Sequence, residues 1–325
     1  MSRLRNIDPK NQVASDVVRF RRELHSDAAH ALAFLKKRSA IISLGSILLD
    51  WALISVGVYL ITLSSAWMPL ALILVGSRQR ALSNLVHDAS HGNLAKSRKL
   101  NDILANIFAA WPMGDSVANY RSSHMDHHRF LGQPVADPDF ENHRLYGFDD
   151  LNPPRGQAVK TYFKILFNRH AWEDSAIGSI LTLNRQNLFH IGLWWAVVTI
   201  TLLFFSLKLP LLAITLWWAA RLTTYHCIRI FAEFLDHSGF IPGSILGYTR
   251  NIPGAAWPVS AFFHPHADNF HLVHHLLPQI PHYRLRQAHR ILMQNQSYQN
   301  SHHCDGYFMG AYPAVDSWAH GGRAL

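Results

Sequence analysis

The sequence predicts an all-α integral membrane protein, with four transmembrane helices in two hairpins beneath a cytosolic helical cap that holds a di-metal site. Three observations lead to this prediction. The composition is 49% hydrophobic and only 16% charged, whereas soluble proteins are about 25% charged. Long apolar stretches alternate with polar segments, and many of the 22 histidines recur in those polar segments at helical spacing.

Four apolar stretches supply the predicted transmembrane helices. A helix of about 20 apolar residues crosses a bilayer core of ~30 Å. The stretches cover residues 40–61, 65–76, 188–207 and 209–220. Nothing between residues 78 and 91 breaks a helix, so the second is predicted to continue into the cytosol and to stop at Gly92 and Asn93. The fourth is predicted to continue in the same way to residue 237, and a short apolar piece at 103–113 to be re-entrant or interfacial.

The positions of Lys and Arg predict the orientation of the chain. The two short turns that join the paired spans carry one Lys in total, and nearly all other cations lie in the long polar segments. By the positive-inside rule, both termini and every histidine group are predicted to be cytosolic. The predicted parts are a basic cytosolic or interfacial segment at 1–38, a membrane and metal-binding domain at 39–290, and a polar cytosolic tail at 291–325.

The formal charge of +9 suggests which partners the protein has. It suits a surface that lies near anionic membrane lipid or binds an acidic protein. Nucleic-acid binding is not predicted, because no recognition motif accompanies the charge.

Three charged residues fall at membrane depth, which costs roughly 2.5–3.5 kcal/mol for each unpaired group. Asp50 and Arg78 lie about equally far from the first outer turn, and Arg221 is comparable on the last span. We therefore predict that Asp50 pairs with Arg78 or Arg221. The alternative is that both arginines lie at the inner interface, on helices that extend beyond the bilayer.

Histidines form three groups with helical spacing. His124, His127 and His128 stand at i, i+3 and i+4, and therefore share one helix face. The same spacing recurs at His271, His274 and His275, and an i, i+4 pair occurs at His87 and His91. A single pair of this kind is commonly two surface histidines. Three such groups in one chain predict a multi-histidine metal site.

The donor set indicates the chemistry of this site. His237 adds a ninth imidazole, and nine nitrogens exceed the needs of one ion but fit two metals with open positions. The two cysteines, Cys227 and Cys304, are too few for a four-thiolate zinc site or an iron–sulfur cluster. Two iron ions held by nitrogen and oxygen ligands can activate O₂. Zinc has no redox chemistry and would indicate hydrolysis or a structural role.

These motifs resemble those of the membrane fatty acid desaturase superfamily, with its related hydroxylases and ketolases. The matching elements are His87-Asp-Ala-Ser-His91, His124-Met-Asp-His-His128 with Asp137-Pro-Asp139, and His271-Leu-Val-His-His275-Leu-Leu-Pro278 with Pro281-His-Tyr-Arg-Leu285. The resemblance covers residues 40–290 and includes the four-span layout. It implies a non-haem di-iron enzyme that contains two Fe²⁺ ions and uses O₂ as a co-substrate.

The resemblance also implies roles for single residues. The implied iron ligands are His87, His91, His124, His127, His128, His237, His271, His274 and His275. Asp137 and Asp139 would orient ligating imidazoles. Members of the superfamily carry a further His or Asn near the ninth ligand, whereas here Glu233 stands four residues before His237, so the tenth ligand stays open. His264 and His266 are predicted either to support or extend the ligand set, or to be ordinary loop residues.

The leading functional prediction is a fatty acyl desaturase of the bacterial inner membrane, which forms a double bond in an acyl chain and reduces O₂ to water. The alternative is a hydroxylase, ketolase or desaturase that acts on a carotenoid or a small amino-acid-derived metabolite. Arg78, Gln79, Arg80 and Arg221 favour the alternative, because they could hold a polar or anionic substrate. A third hypothesis is a non-enzymatic membrane protein with a zinc-bound cap.

An oxidative site of this kind needs electrons from outside the chain. The sequence has no cysteine cluster, no Gly-x-Gly-x-x-Gly fingerprint and no His-Pro-Gly-Gly signature of a fused cytochrome b5-like domain. We therefore predict a separate electron donor, such as a ferredoxin, a rubredoxin or a cytochrome.

Overall fold

The structure, a computed structural model, describes residues 9–147, 155–237, 239–240, 242 and 244–317, and most of them are helical. In the first half of the chain the helices are α1 (Pro9–Glu23), α2 (Ser26–Leu35), α3 (Ala40–Leu63), α4 (Met68–Ser90), α5 (Arg98–Ala105), α6 (Val117–Phe130) and α7 (Pro138–Tyr146). In the second half they are α8 (Arg155–Leu166), α9 (Arg169–Glu173), α10 (Ser179–Thr182), α11 (Arg185–Leu203), α12 (Leu209–Ala220), α13 (His226–His237), α14 (Ile245–Tyr248), α15 (Trp257–Phe263), α16 (His271–Leu276), α17 (Leu285–Leu292), α18 (Gln296–Gln299) and α19 (Ala314–Ser317). Two short strands, β1 (Arg250–Asn251) and β2 (His302–His303), pair in parallel.

Helices α3 and α4 form the first predicted hairpin. The Ser39 hydroxyl caps α3 by accepting from the Ile42 amide, and α4 begins with proline in its first turn, where the missing N–H costs nothing. Helix α4 continues to Ser90, and the chain turns at Gly92, whose φ of 77° an L-residue rarely adopts. The predicted continuation of the second span towards His91 is therefore confirmed.

Helices α11 and α12 form the second predicted hairpin. Asn184 caps α11, which begins and ends slightly earlier than predicted because the turn before Pro210 starts at Phe204. Helix α12 passes through a π-helical turn, Arg221–Tyr225, directly into α13, so the predicted continuation to His237 is confirmed.

Two helices of the described segments, α3 and α11, are long and apolar enough to cross a membrane. Helix α4 fails this criterion because its second half is polar, and α12 because it has only 12 residues before the π-helical turn. The total of four spans and their orientation stay predictions.

The hydrophobic core joins the hairpins to the helices that carry the histidines. Side chains of α3, α4 and α12 pack with Ala105, Ala109 and Met113, so the apolar piece at 103–113 lies against the hairpins. A second cluster packs Phe20 of α1 and Leu32 of α2 against Val273 of α16 and its neighbours. The helices that carry the histidines thus pack against apolar clusters on both sides.

The C-terminal region predicted as a polar tail packs onto this core. Tyr298, Cys304, Tyr307 and Ala314 are all buried, and β2 pairs with β1 next to α16. The boundaries at 38 and 290 stay predictions, since both flanking segments contact the central part of the chain.

Candidate metal centre

Helix α6 places three histidines on one face, as its spacing predicts. The Ser116 hydroxyl caps the helix by accepting from the Asn119 amide, and the four following turns keep His124, His127 and His128 in helical register. Helix α16 does the same for His271, His274 and His275. His87 lies in the last turn of α4, His91 directly follows that helix, and His237 is the last residue of α13. Histidines from four helices, which are far apart in the sequence, therefore lie close together in space.

The first group combines histidines from three helices. Its members are His87, His91, His124, His128 and His274, whose candidate ligand atoms all lie within 4.8 Å of one another. The Nε2 atom of His124 lies 2.9 Å from Nε2 of His91 and 3.0 Å from Nε2 of His128. The Nε2 atom of His128 also lies 2.9 Å from Nε2 of His274.

The second group lies beside the first. Its members are His127, His237, His271 and His275, and their candidate ligand atoms again lie within 4.8 Å of one another. The Nε2 atom of His271 lies 3.0 Å from Nε2 of His237 and 3.1 Å from Nε2 of His275. All nine histidines predicted as ligands thus fall into two groups, of five and four.

The two groups fit two metal ions. Several Nε2 atoms converge on one another, although a neutral imidazole has only one N–H and cannot satisfy three acceptors at once. Burial, followed by repulsion from neighbouring imidazoles, holds the pKa of His124, His128, His274 and His275 well below its usual range. These imidazoles are therefore neutral and offer lone pairs, as metal ligation requires.

His127 differs from the other members because two carboxylates face it. Burial alone would lower the pKa of His127, but Asp139 and Asp137 outweigh it and raise this pKa to about 9. Asp137 Oδ1 lies 2.9 Å from His127 Nδ1, and Asp139 Oδ2 lies 3.5 Å from the same atom. A carboxylate on Nδ1 fixes the ring and leaves Nε2 free for a metal. The positions of Asp137 and Asp139 match their predicted orienting role.

Asp137 is itself fixed by the backbone around it. Its Oδ2 accepts from the Gly132 amide at 2.7 Å, and its Oδ1 accepts from the Asp139 amide at 3.0 Å at the start of α7. His237 in the second group has a different partner, because its Nδ1 lies 3.0 Å from the Tyr248 carbonyl oxygen.

The other predicted site residues lie at different distances from the two groups. Glu233 pairs with Arg229 at 2.7 Å and lies outside both histidine groups. His264 Nε2 lies 3.4 Å from Asp236 Oδ1, and its Nδ1 hydrogen-bonds to the Tyr307 hydroxyl at 2.8 Å. His264 is therefore close to the centre without belonging to either group.

His266, Arg78 and Gln79 lie away from the histidine groups. Arg78 Nη1 pairs with Asp50 Oδ1 at 3.0 Å, which confirms the first of the two predicted pairings, and His266 Nε2 lies 2.7 Å from Asp50 Oδ2. The Gln79 side chain donates to the Trp217 carbonyl at 2.9 Å. These side chains join helices to one another, because buried polar groups need such partners.

Two carboxylates near the ligands were not predicted from the sequence. Asp268 Oδ1 lies 3.7 Å from His87 Nδ1, and Asp236 Oδ2 lies 4.0 Å from His271 Nδ1. Asp236 directly precedes His237 in the chain, which was the one sequence signal available. Nothing in the sequence indicates that Asp268, three residues before His271, faces a histidine of another helix.

A polar cavity opens onto both histidine groups. Its wall includes His87 and His124 of the first group and His127, His237 and His271 of the second. Arg80, Arg221 and Arg229 contribute cations to the wall, and of its 24 described lining residues only Val86 and Met113 have wholly apolar side chains. Tyr120 also lines the cavity, and its ring centroid lies 5.3 Å from that of His124.

Comparisons with known proteins agree with this site. The fatty acid desaturase family matches residues 65–307. Dihydrorhizobitoxine desaturase of Bradyrhizobium elkanii is 32% identical over 77% of this chain and 74% of its own length. Delta 8-(E)-sphingolipid desaturase of Kluyveromyces lactis is 21% identical over 89% of this chain and 56% of its own. Beta-carotene 4-ketolase 3 of Haematococcus lacustris is 26% identical over 63% of this chain and 57% of its own.

The matched region contains all nine histidines of the two groups, and the relatives are named for desaturation or ketone formation. The chain therefore belongs to the fatty acid desaturase family, a membrane-associated family, and is an oxidoreductase.

Proposed function

We propose that this protein is an O₂-dependent, non-haem di-iron desaturase whose substrate is a small polar metabolite. The overall reaction converts two adjacent C–H bonds into a double bond. O₂, two external electrons, two protons and the two substrate hydrogens together yield two molecules of water. The related hydroxylation would instead insert one oxygen atom into one C–H bond and release one molecule of water.

The polarity of the cavity carries the substrate proposal. A tunnel for an acyl chain gains its affinity from apolar side chains, because each buried CH₂ contributes about 0.8 kcal/mol. Of the 24 described residues that line the cavity here, 22 instead carry a charged or hydrogen-bonding group. This favours the small-metabolite alternative over the acyl chain that the sequence motifs alone suggested.

Arg221 is the residue best placed to hold an anionic group of the substrate. It is buried, lines the cavity, and has no carboxylate within 4 Å among the described residues. Its Nε donates to the Ala176 carbonyl at 2.9 Å, which fixes the guanidinium. By contrast, Arg80 is paired with Asp268 and Arg229 with Asp174 and Glu233. A buried cation without a counterion is costly, and a substrate carboxylate would remove that cost.

The two histidine groups would hold the iron ions. When bound, the ions supply the activation of O₂ and an oxidant strong enough for an unactivated C–H bond. Asp137 keeps His127 in one orientation, and six of the nine histidines are buried. The proposed electron donor is a ferredoxin, a rubredoxin or a cytochrome, whose acidic surface would complement the basic chain. We place the enzyme in a bacterial inner membrane, with the histidine groups cytosolic.

The metal proposal is tested by elemental mass spectrometry of detergent-purified protein, with His127→Ala for comparison. We expect close to two irons per chain, and loss of iron in the variant. Zinc without iron after anaerobic purification would overturn the di-iron proposal.

The substrate proposal is tested in cells that express the protein, the His127→Ala variant or an empty vector. We expect a metabolite two hydrogens lighter than its precursor in the polar extract, present only with the unsubstituted protein. Arg221→Gln should abolish its formation while iron content is retained, whereas Arg185→Gln, which alters an exposed arginine, should not. A new double bond confined to the lipid extract would instead support the acyl desaturase.

A further inference from the structure

Asp236 and Asp268 each face the ring nitrogen of a histidine predicted to bind metal. We propose that they are positioning residues of the metal centre, Asp268 for His87 in the first group and Asp236 for His271 in the second. This inference rests on the proposed di-metal function. It gives a positioning role to two carboxylates that neither the sequence motifs nor the comparisons with known proteins identify.

The geometry is clearest at His271. Its Nε2 lies 3.0 Å from His237 Nε2 and 3.1 Å from His275 Nε2, so this nitrogen faces the second group. Its Nδ1 is buried, has no hydrogen-bond partner, and has Asp236 Oδ2 at 4.0 Å. A ligating histidine almost always donates its other N–H to a carboxylate, a carbonyl or water. Asp236 is the carboxylate in place to receive it, directly after a small side-chain rotation or through one water.

Two further side chains, those of His264 and Tyr307, lie on the other side of Asp236. The His264 side chain is fully buried, and its unpartnered Nε2 lies 3.4 Å from Asp236 Oδ1. His264 Nδ1 in turn hydrogen-bonds to the Tyr307 hydroxyl at 2.8 Å. When the Tyr307 hydroxyl donates to Nδ1, the proton of the neutral His264 ring is on Nε2, the atom that lies 3.4 Å from Asp236 Oδ1. The C-terminal segment thereby fixes the carboxylate that faces His271.

Asp268 is fixed by a different element. Its Oδ2 accepts from Arg80 Nη2 at 2.8 Å, and its Oδ1 lies 3.7 Å from His87 Nδ1. Arg80 and His87 both belong to α4, so one carboxylate is aligned with two positions of the same helix. This arrangement sets the rotation of the His87 ring relative to the other members of the first group.

These carboxylates would also offset the positive charge of bound metal ions. An imidazole that binds a metal through its lone pair is neutral, so nine such ligands bring no charge to two divalent ions, and unbalanced charge in a buried site is costly. The carboxylates within 4.0 Å of a ligating ring nitrogen, among the described residues, are Asp137, Asp139, Asp236 and Asp268. Their negative charges offset part of the four positive charges on two divalent ions, since Asp268 also pairs with Arg80. The candidate ligand atoms of Asp236, His264 and Asp268 also lie within 4.8 Å of one another, so the competing role for these carboxylates is to bind a third cation.

The test compares the rates at which metal leaves the unsubstituted protein and four variants. We expect Asp236→Asn to release one of two metal equivalents to a chelator ~10- to 100-fold faster, the usual effect of losing such a partner, while the other equivalent keeps its original rate. Asp268→Asn should do the same to one equivalent, and the double variant to both. Tyr307→Phe should accelerate the same phase as Asp236→Asn by a smaller factor.

Asp115→Asn is the matched control. Asp115 is also a buried carboxylate on the cavity wall, but it bonds to the Ser116 amide and the Asn119 side chain rather than to an imidazole. This variant should release both equivalents at the original rate.

Three results would overturn the inference. Unchanged release from Asp236→Asn and Asp268→Asn would show that neither carboxylate positions a ligand. Equal acceleration of both equivalents in each single variant would indicate a general loss of folding. A third bound metal ion in the unsubstituted protein, lost in either variant, would mean that Asp236, His264 and Asp268 form a metal site. The di-iron proposal is tested separately, because elemental mass spectrometry of the unsubstituted protein identifies the metal that it contains.

Discussion

At the scale of single residues, the sequence was informative wherever local spacing determines geometry. His124, His127 and His128 share a face because helical spacing requires it, and the same holds for α16. The division of nine histidines into five and four could not be read in this way. It depends on the approach of α4, α6, α13 and α16 in three dimensions, and places His127 apart from its neighbours His124 and His128.

Residues that act through tertiary contacts were the hardest to predict. His266 was grouped with the metal site because it lies close to His271 in the chain, but it contacts Asp50 of α3. Asp268, only two residues further along, faces His87. The backbone between them explains the divergence, since His266 and Ala267 both adopt positive φ of 60° and reverse the direction of the chain.

The Asp137–His127 contact predicts a loss of metal affinity on a near-isosteric change. Asp137→Asn removes the charge that stabilises the metal-bound imidazole and should weaken metal binding ~10- to 100-fold, as for other partners of ligating histidines. Metal titration followed by elemental mass spectrometry measures the effect. Asp126→Asn is the control, because Asp126 lies on the same helix but is half exposed and pairs with Arg129. Equal affinity in both variants would contradict the predicted role of Asp137.

At the scale of elements, helix positions followed from apolar stretches and capping residues, but the joint between α12 and α13 did not. A π-helical turn at Arg221–Tyr225 has no reliable sequence signature. This turn packs closely on Gly76 of α4, where an added Cβ would lie 2.5 Å from Thr224 Cβ and 2.8 Å from the Tyr225 amide nitrogen. The close approach is what brings Arg221 to the cavity.

Gly76→Ala is therefore predicted to destabilise the protein despite the higher helix propensity of alanine. Overpacking of this kind costs about 1–3 kcal/mol and should lower the melting temperature in detergent. Gly45→Ala on α3 is the matched control, because nothing lies within 4 Å of the added methyl group. That variant should be neutral or more stable by up to about 1 kcal/mol, which is the difference in helix propensity. Similar melting temperatures for the two variants would refute the close contact.

The ion pair between α3 and α4 gives a second prediction at this scale. Asp50 is fully buried and accepts from Arg78 at 3.0 Å, while Arg78 also donates to the Ala261 carbonyl. Asp50→Asn leaves the Arg78 charge buried without its counterion, and should reduce the free energy of unfolding by about 3–5 kcal/mol.

The double variant Asp50→Asn with Arg78→Gln tests whether the loss comes from this pair. If it does, the double variant should be more stable than the sum of the two single changes predicts, and the difference is their coupling energy. Chemical denaturation in detergent measures all four proteins. Strict additivity would mean that the two charges do not depend on each other.

At the scale of the whole molecule, the predicted all-α architecture and its histidine cluster agree with the structure, whereas the number of spans could not be fixed by composition. Helix α4 explains why, because its first half is apolar and its second half carries Arg78, Arg80 and the first histidine pair. One helix thus belongs both to the first predicted hairpin and to the histidine groups. A hydropathy average over such a helix describes neither half.

This sharing predicts that metal binding stabilises the entire molecule. The histidines of the two groups come from α4, α6, α13 and α16, so two bound metals would cross-link helices that stand as far apart in the sequence as His87 and His275. A ligand that binds only the folded state, at 1,000 times its dissociation constant, adds about 4.1 kcal/mol per site. Removal of both metals by an anaerobic chelator should therefore lower the melting temperature, and re-addition of Fe²⁺ should restore it. His127→Ala, which lacks a member of the second group alone, should show a smaller decrease on chelation. If elemental analysis records complete metal loss and the melting temperature does not change, this prediction is wrong. The histidine groups would then fold without bound metal.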